Sequence, residues 1–151
     1  MPKSDLALFS SQLELKHLIM GEVLQEPNKQ VEYAYFPLSG ICSVIAENVE
    51  GVQAETGLIG REGYVGIPIV LFADSSPSQI IVQASGRAFR ISRTKLLKAI
   101  SKSSSLQATL LRFAHTFNVQ VSQTAVAKWA LYNQSAARPL VADVPGPGRF
   151  Q

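Results

Sequence analysis

Apolar and polar positions change their period once along this chain, close to Ser92, and the change divides it into two kinds of structure. Before that point the runs are short and alternate. Ser4 or Asp5 caps a short helix through Leu6, Leu8 and Phe9. Leu13, Leu15 and His17 then alternate with Glu14 and Lys16, the pattern of a half-buried strand. Glu22 to Gln25 predicts a second strand, closed by the turn Glu26-Pro27-Asn28-Lys29. Val31 to Leu38 is rich in β-formers. Ile41 to Glu47 is apolar on both faces, which predicts burial on both sides. Asn48-Val49-Glu50-Gly51 reads as a hairpin turn, with Val52 to Ile59 as the returning strand. The apolar run Ile67 to Phe72 predicts burial, Ala73 to Ser78 a polar loop, and Ile80 to Val82 a β-branched strand. Ser85-Gly86 turns into Arg87 to Ile91, which alternates again. Many short strands punctuated by Gly and Pro predict an antiparallel barrel or jelly roll.

After Ser92 the period becomes helical. Ser92 to Lys95 opens a short helix carrying Leu96, Leu97 and Ile100, and Ser101 to Ser105 forms a hinge. Leu106, Leu110, Phe113, Phe117, Val121 and Thr124 then recur at steps of three and four, predicting one helix to about Asn133. Pro and Gly from Val144 to Gly148 exclude helix and central strand, so residues 134–151 read as a tail.

Composition narrows the picture. The 151 residues are most simply one domain, and 46% hydrophobic with 17% charged residues describes a globular chain. The net charge of +3 comes without a run of Lys and Arg, which argues against a nucleic-acid-binding face. No signal peptide is visible, and no apolar run is long enough to span a bilayer, so a soluble, cytoplasmic protein is expected. Cys42 is the single cysteine and sits in an apolar strand, so it reads as an inert thiol and cannot hold a four-cysteine cluster. His17 and His115 are the two histidines and lie far apart with no clustered carboxylates, so no metal is expected and no cofactor. No G-x-S-x-G elbow or recognisable triad occurs, and enzymatic activity is not expected.

One stretch stands out, Gly60-Arg61-Glu62-Gly63-Tyr64-Val65-Gly66, with glycine at every third position. It reads either as tight turns at a barrel corner or as one wall of a ligand pocket. Taken with Gly21-Glu22-Val23-Leu24 and Tyr35-Phe36-Pro37-Leu38-Ser39-Gly40, it resembles the sensor domain of the CRP/FNR family of bacterial transcription regulators. The resemblance covers residues 6 to 127. It implies a cyclic-nucleotide-binding-type β-roll with a short N-terminal helix, over residues 1–102. A long dimerisation helix over residues 103–133 follows.

Two departures matter. Family members that bind cyclic nucleotide carry a Gly-Glu pair and an Arg-Ser (or Arg-Thr) pair, the carboxylate on the ribose and the guanidinium on the phosphate. The matching pairs here are Gly66-Ile67 and Pro77-Ser78. A buried phosphate without a cationic partner is costly, so cyclic AMP is not expected to bind in the usual way. The candidate pocket on this resemblance is Gly66, Ile67, Pro68, Ser78, Gln79 and Ile80. The family also continues into a DNA-reading helix-turn-helix, where this sequence has its Pro/Gly-rich tail.

The expected function is therefore a ligand-sensing and dimerisation module of a CRP/FNR-like regulator that does not bind DNA alone. Its expected homodimer seam is Leu106, Leu110, Phe113, Phe117, Val121 and Thr124, although the same stripe would also serve to pack on the chain's own roll. A small-molecule effector and a full-length regulator of the same family are the further partners considered. The competing readings are a regulator that still binds cyclic nucleotide or DNA as a dimer, and a jelly-roll enzyme or small-molecule binder.

Overall fold

The computed structural model describes residues 3–135; the expected tail, apart from its first two residues, lies outside them. A short helix α1 (Lys3–Ser10) leads into strands β1 (Glu14–Leu18), β2 (Val23–Gln25), β3 (Tyr33–Pro37), β4 (Ile41–Glu47) and β5 (Gln53–Ile59). A single turn of helix α2 (Ile67–Val70) precedes β6 (Gln79–Ala84) and β7 (Gly86–Ser92), and the described residues end in α3 (Arg93–Lys102) and α4 (Ser104–Ser135).

The strands form two antiparallel sheets, one ordered β1-β7-β3 and the other β2-β6-β4-β5. Neighbours in each sheet are mostly distant in sequence, as expected of a jelly roll. Cys42, Val44, Ile59, Ile80 and Val82 turn inward from the second sheet onto Leu18, Tyr35 and Ala88 of the first. Burial of Cys42, Ser43 and Val44 bears out β4 as a strand covered on both faces. A second core, holding Phe9, Ile69, Leu96, Ile100, Leu106 and Leu110, binds the helices to one end of the roll.

Local signals account for the joints. Asn48 Oδ1 accepts from the backbone N–H groups of Glu50 and Val52, which closes the β4–β5 hairpin. Ser92 caps α3 by accepting from Lys95 N. Two expectations are corrected. In β1 the inward residues are Lys16 and Leu18, whereas Leu15 is 54% exposed and His17 is also exposed. Lys16 is held there by Glu22 at 2.7 Å. The run Ile67 to Phe72 is fully buried only at Ile69 and Val70. The chain turns at Phe72, at φ +58°, which leaves Leu71 and Phe72 in solvent.

The apolar stripe of α4 packs on the chain's own roll. Leu106, Leu110 and Phe117 are buried in the chain's own cores, with Phe113, Val121 and Thr124 half-buried on the same stripe. Of the residues expected to form the dimer seam, Leu106, Leu110 and Phe117 thus pack fully on the chain's own roll and helices. The reason is steric: α4 lies across β5 and the glycine stretch, where missing side chains leave room for aromatic rings. A Cβ on Gly63 would lie 2.2 Å from the Phe113 ring, and one on Gly57 would lie 2.8 Å from the Phe117 ring.

Candidate functional site

The glycine stretch is a turn that runs into the wall of a cavity. Its first half is a turn, with Gly63 N donating to Gly60 O at 3.1 Å. Val65 then exchanges two backbone hydrogen bonds with Tyr35, at 2.8 and 2.9 Å, which carries the chain across to the other sheet. Gly66 sits at φ +113°, and a Cβ there would lie 2.9 Å from Ala34. No other residue fits that position. Gly66 also starts α2 and forms part of a cavity wall.

That cavity has a volume of about 400 Å³. Its walls come from the end of β2, from β4 and β5, from Gly66 through Ser78, from the start of β6, and from α4. Gly66, Ile67, Pro68, Ser78 and Ile80 of the expected pocket are brought together in it. Gln79 is not; it pairs with Ile45 and points to the other face of β6. Gln25, Val44, Thr56 and Ile59 were missed, and so was the contribution of Ala114, Phe117, Asn118 and Val121 from α4. A sequence signal for the α4 residues exists in their helical spacing, but the partner surface is not legible from it.

Among the described residues that line the cavity, none is ionisable. The two positions where the family's charged pair would stand, Ile67 and Pro77, are both in the wall. Arg61 and Arg87 are exposed and take no part in it. Arg93 is tied elsewhere: it donates to Ala73 O at 3.0 Å and pairs with Asp74 at 3.0 Å, pinning the polar loop to the start of α3. The polar groups at the cavity are neutral. Thr56 Oγ1 donates to Val44 O at 3.2 Å, Ser76 Oγ accepts from Ser78 N at 3.2 Å, and Gln25 Nε2 donates to Ser78 O at 3.0 Å.

An aromatic ladder leads from the far side of the molecule to this cavity. Phe9 meets Phe36 edge-on at 5.4 Å, Phe36 meets Tyr64 at 5.7 Å, and Tyr64 meets Phe113 at 5.0 Å. Phe113 stacks on Phe117 at 6.0 Å, and Phe117 lines the cavity. Tyr64 is fixed by donating its hydroxyl to Leu110 O at 2.9 Å, and burial pushes its phenol up, so it stays neutral. Burial likewise pushes the Cys42 thiol up to about 11, with the Glu22 charge adding to it. A nucleophilic thiolate at neutral pH does not fit that position.

A jelly roll with a one-turn helix behind a glycine stretch, and a cavity between that turn and a long C-terminal helix, identifies the architecture. The model of the cyclic nucleotide-binding domain family matches residues 15–103. The chain belongs to this family. No curated protein sequence matches it. Among solved structures, the cyclic nucleotide-binding fold of this chain is similar to three informative relatives. The regulatory subunit of a cAMP-independent protein kinase A from Trypanosoma cruzi, bound to guanosine, superposes with a TM-score of 0.62 at 12% identity, covering 67% of this chain and 36% of that one. The c-di-GMP responsive global regulator CLP of Xanthomonas campestris superposes at 0.60 and 18% identity, covering 83% and 60%. The sensor domain of the transcriptional regulator DNR from Pseudomonas aeruginosa superposes at 0.58 and 11% identity, covering 98% and 87%. The chain thus spans about a third of the length of the first of these and three fifths of the second. No helix among the described residues is long and apolar enough to cross a membrane.

Proposed function

We propose that this chain is the ligand-sensing and dimerisation module of a CRP/FNR-type regulator, and that its effector is an uncharged small molecule rather than a cyclic nucleotide. The observation that carries this reading is the wall of the cavity, in which no ionisable side chain stands among the described residues. A cyclic phosphate placed there would lose water without gaining a cation. The guanosine complex of the Trypanosoma cruzi subunit supports the reading, since it puts a nucleoside without phosphate on the same fold.

The output runs through α4. Ala114, Phe117, Asn118 and Val121 line the cavity, so occupancy bears directly on how that helix is seated. The opposite face of α4 carries Leu111, Val119, Val126 and Trp129, between 37% and 66% exposed. At about 100° per residue these fall within roughly 80° of arc. In this reading they are the seam against a second copy, in place of the stripe that packs on the roll. The chain does not bind DNA alone. Among the described residues α4 offers only Arg112 and Lys128, and Lys128 donates to Glu55 O. The reading is that of a sensor rather than an enzyme, a small-molecule binder on a jelly roll.

Calorimetry with cyclic AMP, cyclic GMP and cyclic di-GMP tests the choice of effector. No saturable heat is expected up to millimolar concentration. A dissociation constant near ~1 µM for any of them would overturn the neutral-pocket reading. The double variant Ile67→Glu/Pro77→Arg is expected to gain cyclic AMP affinity by about a hundredfold or more, since each restored charged hydrogen bond contributes about 1.5–3 kcal/mol.

A further inference from the structure

Gln25 is the polar residue whose position in the cavity wall is unexplained by the fold. It is 5% exposed and stands at the end of β2. Its Nε2 donates to Ser78 O at 3.0 Å, which fixes which end of the amide is which. Its Oε1 is closed off from solvent and has no hydrogen-bond partner among the described residues. A glutamine kept only to fill space is readily replaced by methionine, and one kept only for its N–H would not leave a desolvated acceptor beside an apolar cavity.

A β-bulge puts the side chain there. The pairing of β2 with β6 shifts between Val23 and Gln25, so Val23 stays at the surface while Gln25 turns inward. Bulges re-aim side chains at functional sites, and here the re-aimed residue is an amide. The terminal torsion of glutamine is broad. Rotation about that torsion brings Oε1 from its closed position to the cavity edge at the cost of the Nε2 bond to Ser78 O, which then stands alongside as a second acceptor.

We infer that Gln25 is the specificity-determining residue of the cavity, and that the effector is an uncharged, largely apolar molecule donating a hydrogen bond from its edge, such as a phenol, enol or ring N–H. The inference rests on the neutral-pocket reading and adds the polarity of the ligand to it. Acceptor-only molecules of the same shape leave Oε1 unpaired and bind less well. Ionised ligands find no counter-charge.

The experiment uses the full chain and a matched pair of probes, 2-naphthol and 2-methoxynaphthalene, followed by calorimetry or amide chemical shifts. The wild-type protein is expected to prefer the naphthol by about tenfold or more, the order expected for satisfying a buried acceptor. Gln25→Met is expected to retain binding of the ether and to lose the preference, with its thermal midpoint near that of wild type. An equal affinity for the two probes in the wild type, or the same preference in Gln25→Met, would overturn the role of Gln25 while leaving a neutral pocket standing. Failure of both probes to bind at millimolar concentration would overturn the neutral-pocket reading itself, and this inference with it.

Discussion

Phe117 separates the two readings of the long helix most sharply. In the structure it is core: 9% exposed, stacked on Phe113, and lying where a Cβ on Gly57 would strike it. Truncating a buried phenylalanine to alanine costs about 3–5 kcal/mol. One side of this ring faces the cavity, so fewer contacts are lost than in a closed core, and the lower end, about 3 kcal/mol, is expected for Phe117→Ala. In a domain of this size each kcal/mol lowers the melting midpoint by roughly 2–4 °C, so the fall should be about 6–12 °C. Trp129, 54% exposed on the opposite face, should behave in the reverse way. Trp129→Glu is expected to change intrinsic stability by about 0.5 kcal/mol or less and to reduce the mass in sedimentation equilibrium to that of a monomer. Urea unfolding followed by circular dichroism, with sedimentation on the same samples, reads both quantities. If Phe117→Ala lost less than about 1 kcal/mol and became monomeric, while Trp129→Glu kept its mass, the packing of α4 described here would be refuted.

Two further outcomes follow from the same contacts. Gly63→Ala places a methyl against the Phe113 ring, an overpacking that should cost about 1–3 kcal/mol in urea unfolding; restoration of most of that loss by adding Phe113→Leu would confirm the clash, and an unaltered midpoint in Gly63→Ala would disprove it. Cys42 is buried with its thiol pushed up to about 11 from 9.0. The thiol stays neutral in the folded chain while the unfolded chain ionises, so its contribution is intact below pH 9 and is lost as pH rises towards 11. Between pH 9 and 10 stability should fall by about 1.4 kcal/mol per pH unit from this group at most, and Cys42→Ala should remove that slope; the same slope in the variant would exclude the thiol as its source.

Much of the architecture was legible because it rests on local chemistry. The Asn48–Gly51 hairpin, the Ser92 cap, the apolar faces of Cys42 and Val44, and the break at Ser103 all act within a few residues of their own position. The resemblance carried by Gly60–Gly66 placed Gly66, Ile67 and Ser78 at one cavity. It also marked Ile67 and Pro77 as the points where charge is missing.

Tertiary structure decided the rest, and in each case because periodicity says which residues share a face but not what that face meets. Leu15 and Lys16 alternate either way; pairing with β7 and the ion pair to Glu22 chose Lys16 as the inward one. Gln79 and Gln25 carry the same amide. A bulge in β2, invisible in a strand of three residues, turned Gln25 to the cavity, while the register of β6 turned Gln79 away. Helix α4 has apolar residues on both sides. The notches at Gly57 and Gly63, distant in sequence, determined that Phe113 and Phe117 face the roll and that Trp129 faces solvent.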